Sequence, residues 1–166
     1  RVQKEYRNGD QEMTIRRATK SDIDTLTDMF SRMYALNSEF DPLLQVPEDI
    51  RQRVRASVER AIADENSLIY IYEEDKPYAA IKIKFDEREF YTPSRVARIE
   101  EFYVHPAKRR GGLGGHFLNF VEEDLKKMGV KLMIARFPSK NLIAVSFYSK
   151  HGFREIHNEF AKSIKD

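Results

Sequence analysis

Apolar residues recur along this chain at two spacings, and the places where one gives way to the other mark its elements. Met13 and Ile15 alternate with polar neighbours up to Arg17, which predicts a strand, and Ser21-Asp-Ile-Asp24 then offers a helix cap with an acid three residues on. Ile23, Leu26, Phe30, Met33 and Tyr34 follow at three- and four-residue steps, the spacing of one buried helix face. Residues 37 to 46 lack a period and read as a loop. Pro47-Glu-Asp49 opens a second helix, with Ile50, Val54, Val58 and Ile62 in steps of four. Residues 67 to 72 and 78 to 85 predict two strands joined at Glu74-Asp-Lys-Pro77; in the second, Ile81, Ile83 and Phe85 alternate with Lys82 and Lys84, which implies an antiparallel hairpin with one solvated face. A further strand is expected over residues 98 to 104. Leu113, Phe117, Val121 and Leu125 then repeat every four residues to a glycine stop at Gly129. A strand over 131 to 136, a short helix over 141 to 150 and one or two closing strands from Arg154 complete an α/β order whose antiparallel half precedes strand, helix, strand, helix, strand.

The length of 166 residues fits one domain. We expect it over residues 13 to 166, behind a polar extension at residues 1 to 12. Hydrophobic residues at 41% and charged residues at 34% describe a soluble globular chain. The 29 basic and 27 acidic residues nearly cancel, so no nucleic-acid partner is expected. No apolar run approaches the roughly 18 residues of a membrane span, and the first residues hold no apolar signal core. With no cysteine for a disulfide, a thiolate metal site or a covalent nucleophile, the expectation is a cytoplasmic protein. The four histidines show no metal-ligand spacing, so no metal is expected.

Arg109-Arg-Gly-Gly-Leu-Gly-Gly115 runs directly into the amphipathic helix. Four glycines in five residues clear side chains from the backbone, the first turn of the helix leaves N–H groups unpaired, and Lys108, Arg109 and Arg110 add positive charge. Such a loop suits a pyrophosphate. The plainer alternative is a tight turn beside a solvated basic run. A dinucleotide fingerprint fails because Phe117 stands where its last glycine belongs, and a P-loop fails because Gly115 is followed by His116 and Phe117. What remains is Arg-x-x-Gly-x-Gly at Arg109, Gly112 and Gly114.

Two blocks carry a resemblance to the GNAT superfamily of acetyl-CoA-dependent N-acetyltransferases. One is Ile99-Glu-Glu-Phe-Tyr-Val-His-Pro106 with the glycine loop; the other runs from Asn141-Leu-Ile-Ala144 through Phe147-Tyr148 to Gly152-Phe153. The resemblance implies a single GNAT-like domain: a mixed, mostly antiparallel sheet of six to seven strands, about four helices, and a splay between the strands at 98 to 104 and 131 to 136 that admits acetyl-CoA. It also implies that Arg109, Arg110, Gly111, Gly112, Leu113, Gly114 and Gly115 wrap the pyrophosphate, that the backbone of Tyr103 and Val104 pairs with the pantetheine arm, and that Asn141 either assists the cofactor or caps its helix. The family is rich in homodimers, so a second copy is an expected partner.

Direct attack of an amine on the thioester needs both reactants held together. The resemblance puts Tyr148 at the position of the acid that protonates the departing thiolate, and a main-chain N–H near Val104 at the carbonyl oxygen. Glu100 and then Glu101 are the candidate bases; strand alternation sets them on opposite faces, so one at most faces the amine. Glu39, Asp41, Glu48 and Asp49 lie in or beside the expected loop and suit a cationic acceptor such as a polyamine; protein and small amines fit the same chemistry. A cofactor-binding sensor without turnover is the alternative reading.

Overall fold

The period-two segments pair in chain order. In the computed structural model, which describes residues 3–8 and 11–165, six strands form one sheet in the order β1 (Gln3–Asn8), β2 (Gln11–Arg17), β3 (Ser67–Glu73), β4 (Pro77–Glu87), β5 (Arg95–Val104) and β6 (Met133–Ala135). Every pair is antiparallel except β5 with β6, which are parallel. Four helices cover it: α1 (Ile23–Asn37), α2 (Ile50–Ala63), α3 (Leu113–Lys127) and α4 (Leu142–Lys150). None of the described helices is long and apolar enough to cross a membrane.

The helical stripes face opposite sides of the sheet. Leu26 and Phe30 of α1 and Val58 of α2 close over Ile69, Ile71, Ala80 and Tyr103, while Phe117, Leu118 and Val121 of α3 close over Ile15, Tyr70, Ile81, Ile83 and Ile99. Each valine, leucine, isoleucine or phenylalanine among them contributes about 1.5–3 kcal/mol by leaving water. Tyr148 and, partly, Phe147 carry α4 into the α3-side core.

Several expectations change in detail. The polar extension contains a strand, Gln3–Asn8, paired with β2. The first cap lies at Thr19, whose N–H donates to the Asp22 carboxylate at 2.7 Å, because a 3₁₀ turn over Lys20–Asp22 precedes α1. The hairpin's supposedly wet face is covered by α1 and α2, and Lys82 is buried there, since Ser57 and Glu101 supply partners for its ammonium. Strand β6 is shorter than expected, and residues 154–165 form no strand. Three residues of open β6 edge supply too few ladder bonds to offset the entropy of fixing that tail.

Candidate active site

The parallel ladder joining β5 to β6 stops at Ile99 and Ala135, so residues 100 to 104 have no partner on that side. The expected splay is therefore present. His105 donates its main-chain N–H to Tyr78 at 2.7 Å, and strand alternation then turns the N–H of Val104 away from β4 and toward the opening. By the same alternation Tyr103 directs its main-chain groups at β4, paired with Ala80, so it is the N–H of Val104 rather than that of Tyr103 that faces the opening.

Directly after this strand, Gly112 takes φ +76° at the start of α3, a left-handed conformation that glycine adopts without strain. A Cβ at Gly111 or Gly112 would meet nothing within 4 Å, so open space lies beside both. Leu113, Gly114 and Gly115 occupy the first turn of α3, where N–H groups have no acceptor one turn back. Leu113 itself is buried and anchors the turn in the core. A Cβ on Gly114 would stand 3.4 Å from Phe147 and 3.7 Å from Val104, which sets the loop, the end of β5 and α4 around one cleft. A Cβ on Gly115 would fall 2.7 Å from the ring of His151, a neighbour no sequence motif marked. Free N–H donors, open space and a helix N-terminus fit the pyrophosphate of coenzyme A.

The basic run is divided. Arg109 sends Nε to the Val104 carbonyl at 2.9 Å, Arg110 is exposed beside the loop, and Lys108 pairs with Glu74 at 2.7 Å, so Lys108 is not free for a ligand.

Tyr148 lies on the inward face of α4, 8% exposed. Its ring stacks on Phe137 at 5.0 Å and meets Phe147 and Phe153 edge-on, while its hydroxyl has no hydrogen-bond partner among the described residues. Burial pushes the phenol above the usual tyrosine range, so it keeps its proton at neutral pH. Asn141 caps the same helix, accepting from the Ala144 N–H at 3.1 Å.

The two glutamates depart from simple alternation. Lys82 stands opposite Glu101 and Ile83 opposite Ile99, leaving Glu100 as the extra residue of a β-bulge. The parity of β5 flips there: Ile99 packs on the α3 side, Tyr103 on the α1–α2 side. Both carboxylates consequently reach Lys82, whose Nζ is 3.6 Å from Glu100 and 3.3 Å from Glu101, so the expectation of opposite faces is corrected. Glu101 is buried and accepts from the Tyr34 hydroxyl at 2.9 Å. Burial is the largest influence on its pKa and raises it, against the opposing pull of Lys82 and Tyr34. Glu100 keeps 32% of its side chain exposed. A run of alternating residues announces no bulge, and Tyr34 and Lys82 read in sequence as core and surface.

Beyond α1, Asp41 accepts from the Leu43 N–H and lies 3.8 Å from Lys140, which ties the loop to the turn before α4. Asp49 pairs with Arg53, while Glu39 and Glu48 are exposed. No group of three or more His, Asp or Glu among the described residues is placed to hold a metal ion.

A strand edge left open beside a glycine-lined helix N-terminus defines an α/β fold with a cleft suited to a pyrophosphate. The model of the Acetyltransferase (GNAT) family matches residues 28–153, and the chain belongs to that family. A search of curated proteins found no match. Among solved structures, a predicted acetyltransferase with acetyl-CoA from Clostridium acetobutylicum superposes with TM-score 0.74 at 18% identity, covering 91% of this chain and 96% of that one. An aminoglycoside antibiotic 6'-N-acetyltransferase from Acinetobacter haemolyticus gives TM-score 0.71 at 17% identity, over 92% and 98% of the two chains. A second aminoglycoside N-acetyltransferase, in complex with CoA, gives 0.74 at 16% over 97% and 100%. At these identities the likeness is one of fold.

Proposed function

We propose that this chain transfers the acetyl group of acetyl-CoA directly to a primary amine, with both reactants held in the cleft between β5 and β6. The observation that carries the reading is the β5 edge left unpaired after Ile99 beside the glycine-lined α3 terminus, with the Val104 N–H turned outward into that opening. Solved relatives of the same fold with acetyl-CoA or CoA bound support the choice of co-substrate. Acetyl-CoA supplies an activated thioester. The chain's residues do the rest: the glycine loop and Arg110 hold the pyrophosphate, Glu100 takes a proton from the ammonium form of the acceptor, the Val104 N–H stabilises negative charge on the carbonyl oxygen, and Tyr148 gives a proton to the thiolate as the C–N bond forms and the C–S bond breaks, the second proton shed by the nitrogen restoring the phenol. We place this activity in the cytoplasm, where acetyl-CoA is available.

The acceptor is open within the amine class. Pairing of Asp41 and Asp49 weakens the case for a polycation drawn by the loop, while exposed Leu36, Leu43 and Leu44 offer an apolar rim. A panel of polyamines, aminoglycosides, lysine peptides, peptide amino termini and small apolar amines, read by mass spectrometry of the acetylated product, separates these acceptors. The reading stands if one class is acetylated well above the others and fails if none is acetylated.

A homodimer is also proposed. Phe160 and Ile164 are 92% and 93% exposed on the tail beyond the open β6 edge, and that edge and tail belong to the same chain, so two copies can satisfy each other reciprocally. Light scattering should give a dimer for the native chain and a monomer for the Phe160→Asp, Ile164→Asp double variant; a monomeric native chain contradicts the proposal.

A further inference from the structure

Lys82 carries a full charge into the sheet interior, its side chain 8% exposed, and the acetyl transfer outlined above does not use it. Burying an ammonium costs several kcal/mol unless it is well paired, and a buried ion cluster seldom gains stability over apolar residues of the same size. The arrangement around Lys82 is specific. Nζ donates to Ser57 Oγ of α2 at 2.9 Å and to Glu101 Oε1 at 3.5 Å, lies 3.3 Å from Glu101 Oε2 outside hydrogen-bond geometry, and lies 3.6 Å from Glu100. Tyr34 of α1 completes the group by donating to Glu101 Oε1. Ser57 is uncharged and burial with Glu101 keeps Tyr34 protonated, so among the described residues Lys82 is the one cation facing the two carboxylates. Of the two carboxylates Glu100 is the more exposed, at 32% of its side chain against 5% for Glu101.

We propose that Lys82 is a positioning residue of the acceptor site: it draws both bulge carboxylates to one face of β5 and fixes Glu100 in the orientation in which it meets the incoming amine. This rests on the reading of Glu100 as base. Without Lys82 two carboxylates would share one site, one of them buried, and like charges so placed retain a proton.

The test compares Lys82→Met, Lys82→Gln and Lys82→Arg with the native chain, by the pH dependence of kcat/KM and by ¹³C titration of glutamate carboxyls. Thermal melts confirm that each variant folds. Lys82→Met and Lys82→Gln should move the acidic limb of kcat/KM upward by about one pH unit, a loss of roughly tenfold below that limb with a nearly unchanged plateau above it. The Glu101 carboxyl midpoint should rise in parallel, and Lys82→Arg, which keeps the charge, should restore both. A uniform loss at every pH, or an unmoved carboxyl midpoint, overturns the proposal. The base reading is tested apart from it: if Glu100→Gln leaves the acidic limb in place, Glu100 is not the base, whatever the carboxyl titration of the Lys82 variants shows.

Discussion

Tyr148→Phe should lower kcat by about 10²-fold while leaving coenzyme A affinity and the melting temperature close to native values. The expectation follows from what holds the residue in place. Stacking on Phe137 and the edge contacts with Phe147 and Phe153 belong to the ring, which phenylalanine keeps, and the hydroxyl has no protein partner among the described residues whose loss would cost stability. What disappears is a proton donor. Because burial raises the phenol's pKa, the native residue stays protonated through neutral pH, and its alkaline limb in kcat/KM lies above the ordinary tyrosine range. Steady-state thiol release against pH, with calorimetry for coenzyme A binding, checks both halves. Near-native turnover in the variant would assign Tyr148 to packing alone.

Gly112→Val should weaken coenzyme A binding by about tenfold or more, with a smaller effect on kcat. A β-branched residue at φ +76° adopts the left-handed region at a cost of roughly 1–2 kcal/mol, and relief of that strain would turn the first N–H groups of α3 out of line. Its side chain would also enter the open space beside the loop. Gly129→Ala is the control. It stands at φ +80° beyond the far end of α3, so it should lower stability by about 1 kcal/mol without touching coenzyme A affinity. Equal affinity in native and Gly112→Val proteins, measured by calorimetry, would remove the glycine loop from the binding site.

The elements that sequence located well are those whose period repeats over several turns. The stripes of α1, α2 and α3 stand where Phe30, Val58 and Phe117 put them, and β3, β4 and β5 follow their alternation with ends shifted by a few residues. Gly129 and Asn141 terminate and cap their helices because φ +80° and a side-chain acceptor are local requirements visible in residue type. The misjudged features depend on what lies across from them. Alternation separates the two faces of β4 but does not say that helices cover both, so Lys82 read as solvated. A bulge inserts one residue without altering composition, so Glu100 and Glu101 read as opposed when the ladder brings them to one cation. The tail after Gly152 carries the apolar residues Phe153, Ile156, Phe160 and Ile164, yet a strand needs an edge to pair with, and β6 presents three residues. Tyr103 was placed in the right strand; which of two neighbours turns its N–H to the opening depends on ladder phase.

Initial rates of coenzyme A thiol release, with acetyl-CoA and an accepted amine both varied, test the central claim most directly, since a chain without cysteine adds no thiol of its own. Direct transfer in a ternary complex gives amine-dependent release with intersecting double-reciprocal lines. Parallel lines, or binding of acetyl-CoA with no amine-dependent release across the whole panel, would contradict it.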